Sequence, residues 1–462
     1  MQTLPLVTHS ALDKTVAWRK GTAISVEKFL MDATYLAALL PHSKHVLNIC
    51  RDRYQFTVGL AAAIISNKVS LLPPTHTPEM VQQLQAFSAE VFCLHDNDYC
   101  DIALPCLRYP MVMPEHRLEC NAANMTIPQI DVQQLVAVVF TSGSTGAPIP
   151  HSKSWGSLVQ NVQAQAERLG LIADGNYSIV GTIPPQHMYG FESTVLLPLQ
   201  SGNALSSAQP FYPVDICSAL EATPSPRLLV STPLHLRLLL EAELKLPQLA
   251  IVLSATAPLS TSLAHKVEAS CKAPLLEIYG STETGQIATR RTAQAVEWQL
   301  FPGVQLTQRG ENLWAEGGHV ELPVPLNDII EPAGTAHFLL HGRKRDLINI
   351  AGKRSSLANL NHHLNAIEGV IDGAFFMPDE VSYDHVTRLS ACVVAPSLTA
   401  STLLTALRVR IDPVFLPRPL LFVESLPRNS TGKLPRDALQ KLIATYMNQD
   451  VNGIIPGLKI PP

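Results

Sequence analysis

The sequence predicts an α/β protein: a large N-terminal domain of helix-covered sheets with a small β-rich subdomain, followed by a small α+β C-terminal domain. Three observations carry this. Up to about residue 130, short apolar runs of strand character alternate with segments of helical spacing, and the alternation resumes after Thr141. Such alternation builds a parallel sheet covered by helices. Between about residues 296 and 340 the helical periodicity gives way to short strand-like pieces, and after Arg345 a separate set of strands and helices begins. The chain of 462 residues is too long for one compact core, so the expected division is a large domain over 1–343 and a small one over 344–462.

In order, residues 46–50 and 91–94 read as strands and 55–66 and 78–89 as helices. The apolar run 135–140 reads as a buried strand, 154–169 as a helix, and 178–180 and 228–230 as further strands. The β-rich stretch contributes pieces at 304–306, 313–315, 319–322 and 336–340. The C-terminal part has elements at 359–367, 388–395 and 435–446. The 36 prolines of the whole chain are dispersed, with no linker or internal repeat.

Composition narrows the function. With 46% hydrophobic and 16% charged residues the chain can bury a large interior, and its net charge of −4 argues against general nucleic-acid binding. No uncharged apolar window is long enough to span a bilayer, and residues 1–20 lack the pattern of a signal peptide, so a soluble cytoplasmic protein is expected. The eight cysteines are scattered without a Cys-x-x-Cys pair, which predicts reduced, buried thiols and neither a zinc site nor a disulfide framework.

Chemistry concentrates in four segments. The run 139–148 ends an apolar strand in Thr141-Ser142-Gly143-Ser144-Thr145-Gly146, where glycines allow close backbone approach and hydroxyls can donate to phosphoryl oxygens. It is not a Walker A loop, and by itself it also fits an ordinary surface turn. The others are Ile278-Tyr279-Gly280-Ser281-Thr282-Glu283-Thr284-Gly285, the basic stretch 342–353 from Gly342 to Lys353, and 426–434 with its Thr431-Gly432-Lys433 turn.

In wording and order these four segments closely resemble the adenylate-forming superfamily of acyl-CoA synthetases, aryl-CoA ligases, luciferases and peptide-synthetase adenylation domains, over about residues 135–439. The resemblance implies an AMP-forming acid–thiol ligase that joins a carboxylate to the α-phosphorus of ATP, expels pyrophosphate, and passes the acyl group to a phosphopantetheine thiol. It implies that residues 141–146 cradle the β- and γ-phosphates, that Glu283 helps hold Mg2+, and that Thr282 stands beside the α-phosphate. Lys433 becomes the lysine bridging carboxylate and α-phosphate, a role suited to an ammonium on a long stem. Asp328 and Arg343 become the ribose contacts, and Tyr279 with Gly280, Ser281 and Thr256-Ala257-Pro258 flanks the adenine. Arg345 falls on the hinge about which the small mobile domain swings, bringing Gly352 to the thiol side. Without the resemblance, Lys433 is a loop lysine, Asp328 a turn aspartate, and 343–346 a solvated charge cluster.

One residue departs from the family pattern. Ile149 stands where the family usually carries a lysine after the glycine turn, with His151 and Lys153 the candidates to replace its charge. A degenerate scaffold that binds nucleotide or acid without chemistry is the corresponding alternative. The acid pocket is expected from His187, Met188, Tyr189, Phe191, Ala255, Gly280 and Gly285, with His187 against the carboxylate or else an ordinary loop histidine. An aromatic acid, benzoate- or hydroxybenzoate-like, is the expected substrate and a medium-chain fatty acid the alternative. No carrier-protein signature lies in the chain, so the acceptor is coenzyme A or a separate acyl carrier protein.

Overall fold

The computed structural model describes residues 2–110, 125–142, 148–172, 176–343, 347–350, 353–377, 389–429 and 432–451. The chain divides into two compact units, Met1–Ala255 with Leu263–Pro325 and Ala333–His337, and Thr256–Ser262 with Leu326–Pro332 and Phe338–Pro462.

The large unit is built on two sheets. One runs in the order Pro148–Ser154, Leu135–Ser142, Val69–Leu72, His45–Asn48, Val91–His95, Cys106–Arg108, parallel except at its first pair. The other has parallel strands at Leu275–Ser281, Ile251–Ser254, Arg227–Ser231, Ser178–Gly181, Ala204–Ser206 and Thr15–Arg19, continued antiparallel by Gly285–Arg290 and Trp298–Leu300 at one side and Thr22–Ser25 at the other. The expected α/β class is therefore observed. The pieces at 304–306, 313–315 and 319–322 form the three-stranded antiparallel sheet Gln305–Arg309, Asn312–Gly317 and Val320–Pro325.

Local chemistry starts and stops the helices. Asp52 caps Arg53–Ile65 by accepting from Gln55 N at 3.1 Å, and Ser154 caps Trp155–Leu169 by accepting from Ser157 N at 3.1 Å. Gly170, at φ +67°, ends the latter helix in the left-handed conformation. Arg53–Ile65 is apolar nearly all round and buried to match. Its fully buried Arg53 donates to the carbonyls of Ser206, Gly181 and Ile183, at 2.9 Å for the last two, which ties down the ends of two strands.

Two features differ from the sequence pattern. Ahead of the helix, where that pattern predicts no element, runs the strand Pro148–Ser154. Pro148 and Pro150 hide it from a propensity reading, and they are tolerated because it lies at the sheet edge, where missing N–H groups break no ladder. The cysteines do not all stay apart either: the Sγ atoms of Cys93, Cys100 and Cys106 lie within 4.8 Å of one another. Adjacent strands and the loop between them bring together residues whose spacing in sequence matches no ligand motif.

The second unit contains the hairpin Asp328–Pro332 with His337–Arg343, the ribbon Leu347–Ile350 with Lys353–Ser356, and the sheet Asp372–Phe376, Ser390–Val394, Leu420–Phe422. Strand alternation gives the sheet two apolar faces. Phe375 and Val393 pack with Leu360, Leu364, Leu403 and Leu407 on one side, while Phe376, Cys392 and Leu421 pack with Leu439 of Arg436–Val451 on the other. Among the described residues no helix is long and apolar enough to cross a membrane.

Candidate active site

In the large unit two hairpins meet. The first, Leu135–Ser142 with Pro148–Ser154, carries Thr141 and Ser142; Gly143, Ser144, Thr145 and Gly146 lie outside the described residues. Ile149, His151 and Lys153 alternate onto one face of its second strand. Ile149 is half exposed at 49%, whereas Lys153 is buried at 8%. His151 Nε2 lies 2.9 Å from Thr141 Oγ1 and 3.7 Å from Glu283 Oε1. Lys153 Nζ donates to the Glu283 carbonyl at 3.3 Å.

The second hairpin, Leu275–Ser281 with Gly285–Arg290, presents Thr282 and Glu283 on its turn. Ser281 and Thr284 close the turn reciprocally: Thr284 N donates to Ser281 Oγ at 3.2 Å and Ser281 N to Thr284 Oγ1 at 3.1 Å. Gly285 sits at φ +70°, and a Cβ there would stand 2.3 Å from Asn161 Nδ2. At Gly280 a Cβ would meet the Gly285 carbonyl at 2.2 Å. These glycines let the strands approach where a ligand could reach the backbone. Glu283 keeps its carboxylate 41% exposed, a hard oxygen donor suited to Mg2+. Tyr279 is half-buried and its ring packs on Trp298, with centroids 5.6 Å apart, while Arg290 stacks on the other ring at 4.5 Å.

Beneath this turn lies a polar cluster. Glu192 is 2% exposed, and burial pushes its carboxyl up to about 7, opposed by the charge of Lys153. Its Oε2 accepts from Gln286 Nε2 at 3.2 Å, and the same amide donates to Ser193 Oγ at 2.9 Å. Burial pulls Lys153 below the usual lysine range, while Glu192, Glu283 and Glu321 favour its charged form. His319 is driven down to about 4 by burial, so it is neutral at pH 7. His151 is likewise lowered by burial, against the pull of Glu283.

Glu192 belongs to a π-helical turn, Phe191–Leu196, between the short helices Met188–Gly190 and Leu197–Gln200. Such wide turns recur at functional sites. His187 caps Met188–Gly190: its Nδ1 accepts from Tyr189 N at 3.3 Å, which leaves the ring proton on Nε2. Met188, Tyr189, Phe191 and Ala255 are buried at 8%, 5%, 0% and 7%.

The second unit holds the remaining candidates. Thr256 has φ +78°, a costly conformation for a β-branched residue, in the turn it shares with Ala257 and Pro258. Asp328 and Arg343 are register partners across their hairpin. Lys433 is exposed and its turn is closed locally: Lys433 N donates to Asn429 Oδ1 at 2.9 Å, and Gly432 N to Asn429 O at 2.9 Å. Arg428 pins that turn by donating to the Gly432 carbonyl at 3.0 Å while its other nitrogens contact Asp372 at 2.7 and 2.8 Å. Arg345 and Gly352 lie outside the described residues.

The AMP-binding enzyme family matches residues 9–329. The chain belongs to that family. It is 30% identical over 301 residues to 4-coumarate–CoA ligase of Rhodobacter capsulatus, covering 64% of this chain and 74% of that enzyme. It is 24% identical over 360 residues to 4-chlorobenzoate–CoA ligase of an Arthrobacter species, covering 68% and 67%. In fold it is similar to o-succinylbenzoate CoA synthetase of Bacillus subtilis bound to its acyl-adenylate intermediate, with TM-score 0.78, 15% identity, and coverage of 95% and 99%. ATP-bound MatB of Rhodopseudomonas palustris gives TM-score 0.77 at 17% identity, covering 96% and 97%.

For this AMP-binding enzyme, sequence reasoning missed Glu192, Asn161, Gln286 and His319. The signal for Glu192 was an acid between Phe191 and the apolar residues 195–197, and for Asn161 a polar residue on the inner face of Trp155–Leu169. The arrangement joins a fixed buried cation, an exposed carboxylate and closely approaching backbone, the elements needed to hold a polyphosphate beside a metal ion.

Proposed function

We propose that this family member is an AMP-forming acid–thiol ligase acting on an aromatic acid of the benzoate, hydroxybenzoate or hydroxycinnamate kind. The observation that carries the reading is the Glu283 turn: an exposed carboxylate, a buried lysine held at its carbonyl, and glycines that open the backbone. ATP binds with its β- and γ-phosphates on the turn after Thr141. Mg2+, held by Glu283, supplies charge neutralisation on the phosphates when bound. Lys153 and His151 take over from the absent lysine at Ile149: Lys153 supplies fixed charge behind the turn, and His151 orients the Thr141 hydroxyl.

Thr282 stands beside the α-phosphate, Asp328 and Arg343 hold the ribose, and Tyr279 backed by Trp298 stacks on the purine. His187, with its proton on Nε2, donates toward the substrate carboxylate. Lys433 follows the charge as it moves from carboxylate to α-phosphate, then withdraws as the C-terminal domain, 344–462, swings about Arg345 and brings Gly352 to the thiol side. The acceptor is coenzyme A, as in the names of the relatives, with a separate acyl carrier protein as the other phosphopantetheine source. Several relatives named for aryl acids favour the aromatic substrate over a medium-chain fatty acid.

The test is acid-dependent pyrophosphate release from ATP and Mg2+ across benzoates, hydroxycinnamates and straight-chain acids, followed by thioester formation with coenzyme A. Release with aryl acids alone supports the reading. Release with straight-chain acids alone overturns the substrate class, and ATP binding without release from any acid overturns catalysis.

A further inference from the structure

The cysteines of the first sheet form a group that the ligase chemistry does not use. Cys93 and Cys106 are direct register partners on the neighbouring parallel strands Val91–His95 and Cys106–Arg108, so their side chains leave the same face. Cys100 comes from the connecting loop. Its Sγ lies 3.8 Å from that of Cys93 and 3.4 Å from that of Cys106, and the three sulfurs lie within 4.8 Å of one another. Three thiolates on a tetrahedral zinc ion, with Zn–S bonds of about 2.3 Å, stand roughly 3.8 Å apart. The sulfurs therefore already have nearly the separation that one ion demands.

The loop is held in place independently of its thiols. Asp96 accepts from the backbone N–H of Arg51 and Asp52, each at 2.8 Å to Oδ2, and Arg108 pairs with Asp98. Gln85 Nε2 donates to the Ala103 carbonyl at 2.9 Å, and Cys93 N to the Pro105 carbonyl at 2.8 Å. Binding would thus pay little ordering entropy. Cys93 is buried, Cys100 is half-buried and Cys106 is exposed, so the group has one shielded side and one side open to a solvent ligand.

We propose that Cys93, Cys100 and Cys106 form a binding site for a thiophilic divalent cation of the Zn2+ type, with solvent as fourth ligand. As the ion binds, each sulfur forms a metal bond and its thiol proton passes to solvent. The resulting site carries one net negative charge, and Arg108 lies two residues along the strand face from Cys106. Soft thiolates select zinc over the hard Mg2+ of the ATP site. The ion staples the loop to both strands and stabilises the large unit by linkage.

The experiment uses the reduced full-length chain. Co2+ serves as the spectroscopic probe, and Zn2+ is titrated against a chromophoric chelator. The expected result is one ion per chain, a thiolate-to-cobalt charge-transfer band of three-sulfur intensity, and a higher melting temperature with Zn2+. Cys100→Ser and Cys106→Ser should each weaken binding at least about a hundredfold, while Cys217→Ser, remote in the fold, leaves it unchanged. These sites are partly exposed, so the variants fold even if Cys93→Ser does not. The proposal is overturned if the reduced chain shows no thiolate band, if Cys100→Ser binds like the native chain, or if air oxidation yields a Cys100–Cys106 disulfide at the same rate with equimolar Zn2+ present.

Discussion

Lys153 and Lys433 occupy opposite environments. Lys153 is 8% exposed, lies on the inner face of an edge strand, and donates to the Glu283 carbonyl with Glu192 and Glu321 nearby. Lys433 is exposed on a turn that Asn429 closes and the Arg428–Asp372 pair anchors. A buried ammonium held on several sides cannot follow charge as bonds rearrange. An exposed one on a long stem can do so while its pinned backbone stays in register. In the reaction proposed above, this contrast is a division of labour, with fixed charge from the large unit and moving charge from Lys433.

Four variants test this contrast. The largest effect should come from Lys433→Ala, which is expected to slow acyl-adenylate formation by about 10²- to 10³-fold, with an unchanged melting temperature by calorimetry. Lys153→Met should act the other way, on stability first. Removing the cation from a buried charged cluster costs about 3 kcal/mol. Burial pushes the Glu192 carboxyl up from 4.5 to about 7, so its neutral form is the one folding favours. That contribution is complete below pH 4.5 and lost as pH rises through 7. The Lys153→Met deficit in urea melts should therefore be larger at pH 8 than at pH 5.

Asp372→Asn weakens a charge-assisted pair with two contacts to Arg428. It should loosen the Lys433 turn and lower the adenylation rate about tenfold, with little change in the Km for ATP. The smallest effect is expected from His319→Gln. His9, His235 and His319 are each lowered to about 4 by burial. Their contribution is present above pH 6.5 and lost as pH falls toward 4, so acid should weaken the large unit over that window. Removing one of three such groups should move the acid midpoint down by a few tenths of a pH unit.

The alternating pattern of the large unit was legible because strand and helix periods differ and each element spans several residues. The strand Pro148–Ser154 was not legible, since Pro148 and Pro150 read as breakers and only an edge position excuses them. Local motifs single out Thr141, Glu283 and Lys433 as candidates. What supports them was hidden by distance along the chain: Lys153 reaches Glu283 across 130 positions, and Arg428 reaches Asp372 across 56. The cysteines show the same limit, because strand pairing rather than spacing unites Cys93 with Cys106.

The most direct test of the division of labour separates the two half-reactions. Native protein, Lys433→Ala and Lys153→Met are assayed for acyl-adenylate formation from ATP and acid, and for thioester formation from preformed acyl-adenylate and coenzyme A. Lys433→Ala should lose the first step and keep the second at near-native rate, while Lys153→Met should keep measurable adenylation per folded molecule but with a raised Km for ATP. Equal loss of both steps in Lys433→Ala, or undiminished adenylation by it, would contradict the assignment of the moving charge to Lys433.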